Sequence, residues 1–325
     1  MTQTLNSIDS RLLTQRIKER ALVEGFDKVG IVPAEPLAQE RERLLEWLAR
    51  GYQGEMSWLA REPEKRIDPR RIFPAAQSVI VVALNYYTAH HHLDQPGRGK
   101  VSRYAWGDDY HDLVGTKLRS LLNWIQQEAP DADGKVCVDI QPMMDKAWAV
   151  RGGLGWLGKH TNLITPELGS WVFIGELLLN LELEYSVEQV EDHCGTCTLC
   201  IEACPTTAIT EPYVVDSTRC ISYATIELRN AELPEIVGEN LEGWFYGCDI
   251  CQDVCPWNRF EQPTIETRFE PRLGNVSADL SAILELTPSS YAERFRNSAM
   301  KRAKLTGLKR NARTLLEKQK TEANK

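Results

Sequence analysis

Eight of the nine cysteines of this 325-residue chain fall between Cys194 and Cys255. Four of them, Cys194, Cys197, Cys200 and Cys204, lie within eleven residues and are followed by Pro205. The pattern Cys-x-x-Cys-x-x-Cys-x-x-x-Cys-Pro wraps three thiolates around one iron–sulfur cubane and sends the fourth to a neighbouring cluster. A second run, Cys248-x-x-Cys251-x-x-x-Cys255-Pro256, and the isolated Cys220 supply four more thiols. The count closes for two [4Fe–4S] clusters. Cys194, Cys197, Cys200 and Cys255 would hold one; Cys204, Cys220, Cys248 and Cys251 would hold the other. The crossing of Cys204 and Cys255 follows from their matching places before a proline at the end of each run. Zinc, the rival metal, favours other spacings in its tetrahedral sites. Two adjacent clusters conduct single electrons and do nothing chemical to a substrate. The reacting groups must lie elsewhere.

One carboxylate attracts attention. Asp139 lies in the apolar run 135–142 (KVCVDIQP), near the end of what reads as a buried strand. A buried carboxylate is costly unless paired or protonated, and a raised pKa would suit a general acid. Capping of the helix that follows is the structural alternative. Gly153, Gly155 and Gly158 match G-x-G-x-x-G, but a dinucleotide fingerprint follows a strand and opens a helix. Here it follows a helical segment and leads into an extended one. The glycines read instead as a tight turn or a close approach of backbone to a bulky planar ligand. Residues 108–115 (DDYHDLVG) nearly match D-x-H-x-x-G, a pattern whose histidine binds cobalt, with the glycine one place late. His111 therefore reads as a packed or capping residue, and His160 as a hydrogen-bonded loop residue.

These groups need elements to hold them. Leu12, Leu13, Ile17, Ala21 and Leu22 have helical spacing, with Asp9 or Ser10 as cap. Residues 28–34 predict a short strand and 36–51 a helix between Pro36 and Gly51. The β-branched run 78–87 predicts a buried strand. Residues 110–130 form an amphipathic helical pattern ended by Pro130, 145–153 a short helix, and 170–183 one or two strands. The class is α+β. Residues 1–185 read as a mixed α/β domain. Residues 186–262, rich in Cys, Pro and Asp, would draw stability from metal clusters, and 263–325 form a basic helical tail.

The chain is 42% hydrophobic and 26% charged, an ordinary balance for a soluble protein. Its first twenty residues lack an export pattern. The most apolar stretch, 171–184, carries Glu176, Glu182 and Glu184 and is too short and too charged to span a bilayer. The expectation is a cytoplasmic protein, where cysteines bind metals more often than they form disulfides. The net charge is −8, yet residues 301–325 alone carry about +7. That asymmetry suggests a polyanionic partner met at one end, or simply a solvated terminal helix.

Segments 138–164 (VDIQPMMDKAWAVRGGLGWLGKHTNLI), 169–180 (GSWVFIGELLLN), 220–228 (CISYATIEL) and 247–258 (GCDICQDVCPWN), with the double cluster, together resemble the epoxyqueuosine reductases over about residues 10–310. A plain ferredoxin has no Trp-Leu-Gly-Lys or Cys-Ile-Ser-Tyr segment. The resemblance implies a cobalamin-binding catalytic domain over 1–185, a two-cluster ferredoxin-like domain over 186–262, and a tail over 263–325 that is a shortened form of a helical-repeat tRNA-binding region. It implies reduction of the epoxide of epoxyqueuosine, at the wobble position of tRNA, to queuosine. The family is similar to corrinoid iron–sulfur reductive dehalogenases, which are the alternative. By resemblance Asp139 is the proton donor and no protein imidazole binds cobalt. Arg151, Lys159, Asn162 and Ser170 would line the corrin, and Ser222 and Thr225 would lie between corrin and cluster. The implied partners are tRNA and an external low-potential electron donor, with no membrane, for a monomer.

Overall fold

The computed structural model describes residues 7–186 and 189–323. The first six residues, part of the segment read for an export pattern, and the last two of the basic tail lie outside the described residues. The central layer is a four-stranded sheet in the order Lys28–Pro33, Ser78–Asn85, Val172–Leu179, Gly134–Cys137, with every neighbouring pair antiparallel. The β-branched run of Ser78–Asn85 is buried at all eight positions because helices cover both faces. On one face the helix Tyr110–Glu128 buries Leu113, Val114, Leu118, Leu121 and Ile125, the i, i+3/i+4 stripe of an amphipathic helix. It lies close because the sheet offers Gly175 beneath it. A Cβ there would come within 2.7 Å of Val114 and 2.9 Å of Leu118. On the other face the helix Asp145–Arg151 packs Trp148 and Ala149 against Val79, Val81 and Leu178.

The packing does not stop at residue 185. Strand Arg98–Val101 lies in a three-stranded sheet between Trp244–Tyr246 and Ser277–Asp279. Around it one core joins Val101 and Trp106 to Ile221, Tyr246, Phe295 and Leu315. The C-terminal helix Lys304–Ala323 buries Leu308, Arg310, Asn311, Ala312 and Leu315. Part of the basic tail is therefore structural. Arg310 donates to the carbonyls of Ala224 (2.6 Å), in the last turn of the helix Ile221–Ile226, and of Leu228 (2.9 Å) and Asn230 (3.1 Å) in the segment that follows it. No helix among the described residues is long and apolar enough to cross a membrane.

Candidate functional site

The cysteines fall into two groups. Cys194, Cys197, Cys200 and Cys255 line a small cavity of about 150 Å³ with Lys159, His193 and Trp257. Cys204, Cys220, Cys248 and Cys251 line a much larger cavity of about 1550 Å³. Each group takes one member from the other cysteine run. Burial pushes the Cys200 thiol up to about 11, and its neighbours Cys255, Cys194 and Cys197 push in the same direction. Burial likewise raises Cys251, with Cys220 the next contributor. Four crowded thiols resist ionisation alone, and a cationic cluster relieves that repulsion while requiring the thiolates. Lys159 braces the first loop by donating to the carbonyls of Gly195 (2.6 Å) and Cys197 (2.9 Å). Trp156 and Trp257 meet edge to face at 4.8 Å beside it.

Asp139 lines the same large cavity as the second group. The expected strand ends at Cys137, and Asp139 lies beyond it in a tight turn. Its φ is +51°, and Ile140 N–H donates to the Val138 carbonyl at 2.6 Å. Such a turn is strained for a residue with a side chain, and it presents the carboxylate to the cavity. The side chain is 59% exposed, to that cavity. Tyr110 donates a short hydrogen bond to Asp139 Oδ2. His111 brings Nε2 to 3.7 Å from the same oxygen and Nδ1 to 2.6 Å from Asp109. The expectation of a raised carboxyl is overturned. Burial pushes Asp139 up, but the contacts from His111 and Tyr110 outweigh it and hold the group below the usual carboxylate range. The same contacts act on His111. Burial lowers it, the two aspartates raise it more strongly, and it reaches about 9.

Both partners come from the start of one helix, which Asp109 caps by accepting the His111 N–H at 3.1 Å. The near-miss cobalt motif singles out His111 for another reason, and nothing local pairs it with a residue 28 positions on. Asp145, Lys146 and Arg66 also line the cavity. Glu176, which in the sequence speaks against a membrane span, is fully buried and does not line the cavity. An acid inside an apolar strand was the signal available there.

The six residues implied to contact a corrin separate. Asn162 and Ser222 line the large cavity, and Asn162 accepts from Lys146 at 2.9 Å. The other four turn elsewhere. Arg151 is absent from the cavity lining and donates to the Glu35 carbonyl at 3.1 Å. Lys159 faces the small cavity. Ser170 is buried, where its N–H donates to Asn258 Oδ1 at 2.7 Å and its Oγ accepts from Gln252 at 3.0 Å. Thr225 is fully buried, donates to the Ile221 carbonyl and accepts from Gly247 N–H at 3.0 Å. The glycine run at 153–158 follows a helix and enters the hairpin Trp156–Leu157 and Leu163–Ile164. A Cβ on Gly155 would lie 2.0 Å from the Ile164 carbonyl, so the run serves a tight hairpin and no dinucleotide.

A cavity lined by four cysteines of a two-cluster pattern and by an acid–base couple defines the class, an iron–sulfur oxidoreductase. Comparison with known proteins specifies it. The family model described as "Epoxyqueuosine reductase QueG, DUF1730" matches residues 66–140, and that of the "4Fe-4S double cluster binding domain" matches 193–258. The epoxyqueuosine reductase of Synechocystis sp. is 47% identical over 89% of this chain and 100% of its own length. That of Cellulophaga algicola is 46% identical over 91% of this chain and 95% of its own. A crystal structure of epoxyqueuosine reductase with an epoxyqueuosine-modified tRNA-Tyr stem loop superposes with a TM-score of 0.89 at 31% identity, over 96% of this chain and 83% of that one. The Bacillus subtilis enzyme, solved with its catalytic loop swung out of the active site, gives 0.89 at 30% identity over the same shares. The chain belongs to the epoxyqueuosine reductase family, and the dehalogenase alternative is set aside.

Proposed function

We propose that this chain reduces the epoxide of epoxyqueuosine in tRNA to the alkene of queuosine. The reaction consumes two electrons and two protons, and the epoxide oxygen leaves as water. The observation that carries this reading is that Cys204, Cys220, Cys248 and Cys251 line the same cavity as Asp139 and His111. Electrons and protons can then meet at one substrate. The eight cysteines hold two [4Fe–4S] clusters with the crossed ligation derived above, and an external low-potential donor fills them.

Cobalamin fits the cavity. Its 1550 Å³ exceeds the roughly 300–1,000 Å³ typical of drug-sized ligands, which leaves room for a large ring beside a nucleotide. Asn162 and Ser222 line it, and the buried Nε2 of His160 has no partner there. Neither lining histidine offers a lone pair to a metal. His111 is protonated between two aspartates, and His160 accepts the Asn162 N–H on Nδ1 at 3.1 Å, which leaves Nε2 protonated. When bound, cobalamin supplies a strongly reducing nucleophilic centre for the strained carbon.

The chain's residues manage the protons and the polyanion. The Asp139–His111 couple holds one proton, and Asp139, the member facing the cavity, delivers it to the departing oxygen. Tyr110 fixes the carboxylate through Oδ2. Arg61, Lys65, Arg229, Lys301 and Lys304 line the same cavity and suit the phosphates of an anticodon stem loop. In this reading residues 1–185 form the catalytic domain, 186–262 the cluster domain and 263–325 a basic helical region. The protein works as a cytoplasmic monomer.

The test is anaerobic reconstitution with iron, sulfide and cobalamin, followed by a chemical low-potential reductant and an epoxyqueuosine-modified tRNA stem loop. Mass spectrometry of digested nucleosides should show queuosine replacing its epoxide. Unchanged substrate with fully loaded protein overturns the reading.

A further inference from the structure

Glu176 lies in the middle of the Val172–Leu179 strand, next to the sheet's centre, with 0% exposure. Neither of its carboxyl oxygens has a hydrogen-bond donor. Asp145, the first residue of the helix Asp145–Arg151 that packs on this strand, has a buried Oδ1 that likewise lacks a donor, and it is the acid that most strongly raises Glu176. An ionised carboxylate stripped of water and donors is expensive, and such groups neutralise instead. Two neighbouring carboxyl groups solve the problem together. With one proton between them, each satisfies the other, and the two titrate as a couple. Burial is the main force lifting both, Asp145 to about 6 and Glu176 well above the ordinary range; Asp145 raises Glu176 further, whereas Glu176 pulls Asp145 down, so the proton rests on Glu176.

The surroundings give the couple a direction. Cys137 is its strand neighbour, directly opposite Glu176 in register. Asp139 faces it from the tight turn, Lys146 from Asp145's own helix, and Arg66 from the helix Pro63–Ile67. Of the two acids, Glu176 is sealed in the sheet, while Asp145 lines the cavity that Asp139 also lines. The proposed reduction removes oxygen as water and so consumes two protons, of which the Asp139–His111 couple holds one.

We propose that Asp145 and Glu176 share the second proton of the reduction, with Glu176 storing it and Asp145 passing it into the cavity beside Asp139. This rests on the epoxide-reduction reading. Both C–O bonds of the epoxide break, two electrons arrive from a low-potential one-electron donor through the clusters, and the oxygen leaves with one proton from each couple. The emptied pair is two buried carboxylates, which take a proton back from solvent between turnovers.

The test uses the cluster- and cobalamin-loaded full chain as wild type, Glu176→Gln and Asp145→Asn. Infrared spectra of the protein at pH 7 should contain a carboxylic-acid carbonyl band that shifts in D₂O, present in wild type and lost in both variants. Single-turnover queuosine formation should fall roughly 10²–10⁴-fold in Glu176→Gln, with iron content and stem-loop affinity unchanged. The wild-type rate should decline as pH rises through the couple's titration, and the variant should lack that limb. Should Glu176→Gln fail to load its clusters, Asp145→Asn carries the same comparison. A wild-type spectrum without the band overturns the proposal, as does a loaded variant turning over within twofold of wild type. Wild type that forms no queuosine at all overturns the functional reading itself and this proposal with it.

Discussion

His111 Nε2 stands 3.7 Å from Oδ2 of Asp139, joining the first turn of a helix to a strained turn 28 residues later in the chain. The contact makes the two residues one acid–base couple. Each shifts the other toward its charged form, so the proton rests on the imidazole and the carboxylate faces the cavity. A donor of this kind is held ready without a neutral carboxyl, which burial alone would have required.

Replacing Asp139 with Asn keeps shape and removes the proton path. Turnover should fall by roughly 10²–10⁴, about 3–5 kcal/mol of transition-state stabilisation at about 1.36 kcal/mol per tenfold. Corrinoid and iron content, measured on the same sample, should match wild type. Near-normal turnover would make Asp139 structural.

The raised His111 pKa carries a pH signature. A group whose pKa is higher in the folded state stabilises fully below its unfolded value, near 6.5, and loses that contribution as pH rises through its folded value of about 9. His111→Gln should therefore cost on the order of 2 kcal/mol at pH 6–6.5 and little at pH 10. Denaturant titrations at the two pH values measure the difference. A cost independent of pH would refute the ion pair.

The crossed ligation predicts an asymmetric lesion. Cys204→Ala should damage the cluster proposed for Cys220, Cys248 and Cys251 while sparing the one beside Cys194. Iron should drop from about eight per chain for two cubanes, and one of two cluster signals in electron paramagnetic resonance should persist. Loss of the signal from the Cys194 group instead would undo the crossing.

Lys301 and Lys304 line the cavity where the C-terminal helix Lys304–Ala323 begins. Their joint replacement by Ala should weaken binding of a tRNA stem loop and flatten its salt dependence. At about 0.7–0.9 of a logarithmic unit per phosphate contact, the slope should shrink by about 1–2. Fluorescence anisotropy across salt concentrations reads this directly, and an unchanged slope would move the RNA contact elsewhere.

Ligand spacing is local, so the two cysteine runs and their count of eight thiols are legible in the sequence alone. Apolar periodicity is local too, and it marked the strand at Ser78–Asn85 and the helix at Tyr110–Glu128. The all-antiparallel sheet, and the strand Arg98–Val101 that binds early residues to late ones, depend on which distant strands pair, and no short pattern specifies that. The same limit governs the site. Asp139 could be singled out as an acid in an apolar run, but the direction of its pKa shift came from Tyr110 and His111, which only the fold brings near. Lys159, Ser170 and Thr225 lie in the expected segments, yet they face the small cavity or the protein interior. Glu176 was visible as a charge inside a strand; its partner Asp145 was not. A side chain's identity is written in the chain, but its neighbours are set when helix packs on sheet, and neighbours decide where a proton rests.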